Sequence, residues 1–80
     1  MDTFEFVTTE FNKLKINEMM VLFIESDRLY VLKTEDGLYM VTYESGFYPK
    51  TFCNYRDFLA TINEKILIVE LPDGKMFVSS

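Results

Sequence analysis

The sequence predicts an α+β domain built on a small antiparallel sheet of about five strands, with one helix before the sheet and one between its hairpins. Three observations predict it. Glu35-Asp36-Gly37 and Pro72-Asp73-Gly74 are the same turn device, each separating two runs rich in β-branched and aromatic residues. Tyr55, Phe58, Leu59 and Ile62 recur at helical spacing between the two devices. The composition, 49% hydrophobic and 16% aromatic, is too apolar for a disordered chain, so these patterns must serve a core. A chain of 80 residues encloses one such core, and residues 1–80 read as a single domain.

Each element follows from its residues. Pro or Glu, then Asp, then Gly, suits a type I turn whose third loop residue is left-handed, a conformation Gly adopts without a Cβ clash. The turns at 35–37 and 72–74 therefore close two β-hairpins with three-residue loops. Leu29–Thr34 pairs with Leu38–Tyr43, and Ile66–Leu71 pairs with Lys75–Ser79. Between them a helix over about 54–64 is capped by Asn54, with Asp57 three residues on as in a capping box. Ser45-Gly46 and Pro49 break the chain upstream and leave a loop carrying Phe47 and Tyr48.

The N-terminal third has two readings. Phe4, Val7, Phe11 and Leu14 recur at intervals of three and four, which predicts a helix over about 3–15. Phe4, Phe6 and Val7-Thr8-Thr9 also suit a short strand followed by a shorter helix. Met19 to Ile24 reads as a strand apolar on both faces, ended by Glu25-Ser26-Asp27.

Face counting yields the functional clue. In the second hairpin Leu67, Val69, Leu71 and Phe77 share one face, and Ile66, Ile68, Glu70, Met76 and Val78 the other. In the first, Leu29, Val31, Val41 and Tyr43 oppose Tyr30, Leu32, Leu38 and Met40. Neither face of either hairpin is cleanly polar, whereas a sheet with one wet face alternates. Either the helices cover both faces, or one apolar, Tyr-rich face docks on a partner or on a second copy of the chain.

Charge and chemistry narrow the classes. Eight Lys and Arg face thirteen Asp and Glu, a formal net charge of −5, and the cations are mostly scattered singly. Direct nucleic-acid binding needs clustered cations and is not expected. With no His, the commonest general base and every Ser-His or Cys-His nucleophile are missing. Neither a catalytic residue nor a metal site nor a cofactor is expected. Glu25 with Asp27, and Glu35 with Asp36, are the candidate carboxylate pairs, and both read as turn formers. Cys53 stands alone, so no intrachain disulfide forms, and it reads as a buried, inert thiol at the helix start. The first residues carry no basic region followed by an apolar run, and the longest apolar run, Met19 to Ile24, is too short for a membrane span. A reducing cytoplasmic setting follows as the expectation.

In size and composition alone, the chain resembles small, acidic, His-free phage-encoded antagonists of host defence, such as anti-CRISPR proteins, and toxin-neutralising immunity proteins. The resemblance implies a non-catalytic inhibitor or regulator working in the host cytoplasm. It would block a site on a partner protein, for example the basic groove of a nucleic-acid-handling protein. A self-associating structural or accessory subunit, closed as a homodimer, is the alternative. The contact residues expected for the first reading are Tyr39, Tyr43, Phe47 and Tyr48, ringed by Glu35, Asp36 and Glu44.

Overall fold

The computed structural model describes residues 3–46 and 48–79. Its elements run α1 (Thr3–Lys13), β1 (Met19–Ile24), β2 (Arg28–Lys33), β3 (Tyr39–Tyr43), β4 (Lys50–Phe52), α2 (Tyr55–Leu59), β5 (Ile66–Glu70) and β6 (Met76–Val78). The strands form one six-stranded sheet in the order β4-β3-β2-β1-β5-β6, and every neighbouring pair is antiparallel. The α+β class therefore holds, with one strand more than expected. The extra strand, β4, is too short for alternation to show in the sequence. Phe52 anchors it by lying opposite Tyr39.

Both glycine turns form as predicted. The Thr34 amide donates to the Leu38 carbonyl and the Gly37 amide to the Thr34 carbonyl. In the second hairpin the Leu71 amide donates to Lys75 and the Gly74 amide to Leu71. Gly37 and Gly74 have φ of 81° and 89°, the left-handed region in which a side chain is strained. Turn side chains brace these loops: Thr34 donates its hydroxyl to Asp36, and the Asp73 carboxylate accepts from the Lys75 amide at 3.0 Å.

Residues 3–13 are helix, so the alternative of a short strand over Phe4, Phe6 and Val7-Thr8-Thr9 is set aside. The helix buries Val7 and Phe11, and Leu14 is buried just beyond it, but Phe4 stays 55% exposed. Phe6 takes the inner place instead, stacked on Phe77 of β6 with ring centroids 4.1 Å apart. The second helix is shorter than the periodicity implied, ending at Leu59 rather than near residue 64. The Asn54 cap is present, with its side-chain oxygen accepting from the Asp57 amide at 3.0 Å. Beyond Leu59 the chain tightens into i→i+3 bonds, and the Thr61 hydroxyl donates to the Phe58 carbonyl at 2.7 Å. Ile62 still packs against the core, so the apolar spacing outlasts the helix itself.

Both helices lie on the same face of the sheet. Phe11 of α1 stacks on Tyr39 of β3 at 3.8 Å and on Phe58 of α2 at 5.4 Å. Phe52 of β4 completes the aromatic cluster against Phe58 at 5.7 Å. Beneath it the sheet contributes Met20, Leu22, Leu29, Val31, Val41, Ile66 and Val69, all buried.

One face assignment in β5 is corrected. Ile24 pairs with Ile66 and Phe23 with Ile68, so Leu67 is an extra, unpaired residue. A bulge of this kind flips the pattern locally. Ile66 turns into the core at 4% exposure, and Leu67, expected to share a face with the buried Val69, is 38% exposed.

Two stability tests follow. Gly37→Ala and Gly74→Ala should each cost about 1–2 kcal/mol by backbone strain alone, since an added Cβ meets nothing within 4 Å. Phe11→Ala should cost about 3–5 kcal/mol, a large share of a small domain's whole stability. Urea unfolding followed by circular dichroism reads both.

Candidate functional site

Among the described residues no helix covers the second face of the sheet, and the pairing register lays out its side chains as a grid. Residues directly opposite in antiparallel strands share a face. One row holds Thr51, Met40, Leu32 and Met19 across β4, β3, β2 and β1. The next holds Thr42, Tyr30, Val21, Glu70 and Met76 from β3 to β6. The third holds Arg28, Phe23, Ile68 and Val78. Val21 at the centre is screened by its larger neighbours, whereas Met19, Met76 and Val78 are 42%, 57% and 67% exposed.

Few charges interrupt this apolar grid. The Arg28 guanidinium lies over the Phe23 ring, 4.7 Å from its centroid. Tyr30 donates its hydroxyl to Glu44 Oε2 at 2.5 Å. The Tyr30 hydroxyl, followed by the nearby Glu44 and Glu70 carboxylates, holds the Arg28 pKa above its ordinary value. Arg28 and Glu70 stand on β2 and β5, the two strands that flank β1. These three rows hold Arg28 and Glu70, and the Glu44 carboxylate reaches the same face through its bond to Tyr30, in a chain of net charge −5. The excess of carboxylates lies elsewhere.

The predicted contact residues do not form one patch. Tyr39 is 6% exposed, stacked on Phe11, and belongs to the core. Tyr43 lies on the same helix-covered side, half-buried against that core. Glu35 and Asp36 are exposed at one end of β3, and Glu44 and Tyr48 are exposed beyond its other end. Strand rise alone separates those ends by roughly 15 Å. Tyr48 is 92% exposed, and Phe47 lies outside the described residues. Met19, Phe23, Met76 and Val78 are the residues that sequence reasoning passed over. Their only signal was the surplus of apolar residues on both strand faces.

The acidic residues of the loops are engaged in turns. Asp27 accepts from the Arg28 amide at 2.8 Å, the Ser45 amide at 3.2 Å and the Ser45 hydroxyl at 2.7 Å. It thereby ties the β1–β2 turn to the β3–β4 loop. Glu64 does the same from the α2–β5 loop, accepting from the Ser26 amide at 2.8 Å and its hydroxyl at 2.5 Å. Among the described residues no group of three or more His, Cys, Asp or Glu is placed to share a metal ion. Cys53, expected to be buried, is exposed and free, because α2 turns its apolar side inward through Phe58. Among the described residues no helix is long and apolar enough to cross a membrane.

No protein-family model, curated protein or solved structure matches this chain.

The Asp27 tether has a pH signature. Hydrogen bonds from the Ser45 hydroxyl first, then from the Arg28 amide, hold its pKa below the ordinary value. Its stabilising contribution is therefore fully present above the ordinary aspartate range and is lost as pH falls through the lowered value. Ser45→Ala should raise the Asp27 pKa, read by carboxyl 13C NMR. It should also shrink the acid-induced drop in thermal midpoint between about pH 5 and pH 2.

Proposed function

We propose that this chain is a non-catalytic protein-binding module whose working surface is the uncovered face of its sheet. One observation carries the reading: the face is apolar from β3 to β6, and both helices lie on the other side. A contiguous apolar area of this kind marks a docking surface on a small protein. The partner is a protein presenting an apolar patch of matching size, with polar groups placed to meet Arg28 and Glu70. An inhibitory or regulatory role suits such a module, which acts by occupying a surface and not by chemistry. The absence of His and the use of Asp27 and Glu64 as loop tethers support the non-catalytic part.

The version in which acidity fills a nucleic-acid-binding groove draws little from the carboxylates. Glu35 with Asp36 and Asp73 sit in hairpin turns at one end of the sheet and Glu44 beyond β3 at the other, so they do not form a single patch. An exposed, unpaired Cys53 suits a reducing compartment, which supports the cytoplasmic setting as part of the same proposal.

Val78→Asp and Met76→Asp place charge on the open face at positions already exposed. They should leave the unfolding free energy within about 0.5 kcal/mol of the parent. They should also weaken partner binding at least tenfold, measured by calorimetry against the protein that co-purifies. Tyr48→Ala should change neither. Binding that survives both aspartates and fails with Tyr48→Ala would transfer the site to the 44–48 loop.

A further inference from the structure

The open face has a feature that selects its occupant, given the reading of that face as a docking surface. Arg28 and Glu70 are set on opposite sides of β1, on β2 and β5, one residue row apart. A two-fold axis laid along β1, between two copies packed face to face, exchanges the β2 side of one copy with the β5 side of the other. Tyr30 of each copy then faces Glu70 of its mate, and Arg28 stands one pleat away from the same carboxylate. Arg28 of each copy is thus set near Glu70 of its mate, so this one pair is made twice, while Glu44 stays bonded to the Tyr30 of its own chain. An isologous interface needs this self-complementarity, since each contact made by one copy is repeated by the other. We propose that the occupant of the open face is a second copy of this chain, forming a two-sheet sandwich about β1 with reciprocal Arg28–Glu70 pairs.

Shape supports the same partner. Two copies carry the same right-handed twist, so their sheets pack aligned at about −30° and about 10 Å apart, as in a β-sandwich. Met19, Val21, Phe23, Leu32, Ile68 and Met76 then become the interior of that sandwich. Size sets its strength. About the β1 axis only β3, β2, β1, β5 and β6 overlap, and with three to six residues each, a rise of about 3.4 Å and a spacing of about 4.8 Å they make a face of roughly 400 Å². Two such faces give about 800 Å², in the range of weak, transient interfaces. The dimer is accordingly concentration-dependent and not obligate.

Sedimentation velocity from about 10 μM to about 1 mM, a range chosen for a weak interface of this size, tests it with two charge reversals. The parent should pass from monomer to dimer across that range. Arg28→Glu and Glu70→Arg should each weaken the dimer at least tenfold, because each places like charges opposite twice. Mixing these two variants should restore association as a heterodimer. In that pair each chain's residue 28 again meets a residue 70 of opposite charge in its mate. An effect within one chain cannot produce that rescue. Should either reversal fail to fold by circular dichroism, Arg28→Gln and Glu70→Gln replace the pair, each expected to weaken the dimer at least threefold. A parent that stays monomeric throughout overturns the inference, as does a dimer indifferent to the charge variants. The protein-binding reading is decided separately, by whether Val78→Asp and Met76→Asp release a different co-purifying protein.

Discussion

The ring of Phe11 rests against Tyr39 and Phe58, and through that contact α1, α2 and β3 share one aromatic cluster. Aromatic rings carry a large buried area each, so a chain with two short helices gains most by pooling them. α2 has five residues and could not cover a sheet face alone. Joined to α1 across Phe11, it closes the core over one side of the sheet, from Phe52 on β4 to Phe77 on β6. The same contact draws both helices away from the other side. Coverage of one face and exposure of the other are a single consequence of where the aromatic rings meet.

Charge is distributed to fit this arrangement. Asp27 and Glu64 lie in loops at one end of the sheet, where they hold neighbouring connections together through Ser45 and Ser26. Asp36 and Asp73 brace the glycine hairpins. Most of the acidity thus sits in loops and turns, away from the apolar face. Arg28, Glu70 and the Tyr30-bound Glu44 are the exceptions on it.

Much of the local structure was legible from the residues. Asp-Gly turns of defined length set the register of two hairpins before any long-range contact is known, and Val69 does lie opposite Phe77 and Val31 opposite Val41. The Asn54 cap was legible for the same reason, being a contact within one turn of chain. What failed were features set by neighbours distant in sequence. The bulge at Leu67 fits β5 to β1, β4 depends on Phe52 meeting Tyr39 and Phe58, and Ile62 keeps helical spacing because the core reaches past the helix end.

The candidate site shows the same division. By itself the sequence determined that the strands are apolar on both faces, because side chains alternate with a period of two whatever lies above them. That pattern is unchanged if the two faces are exchanged, so it carried no information about which one the helices take. The exchange placed Tyr39 and Tyr43 in the expected contact patch, whereas they lie under the helices, and Tyr30 lies on the open side. Only the tertiary structure decided the matter, through the stacking of Phe6 on Phe77 and Phe11 on Tyr39. Those contacts join the start of the chain to strands far along it, and a choice made at such distance leaves no local mark in the sequence.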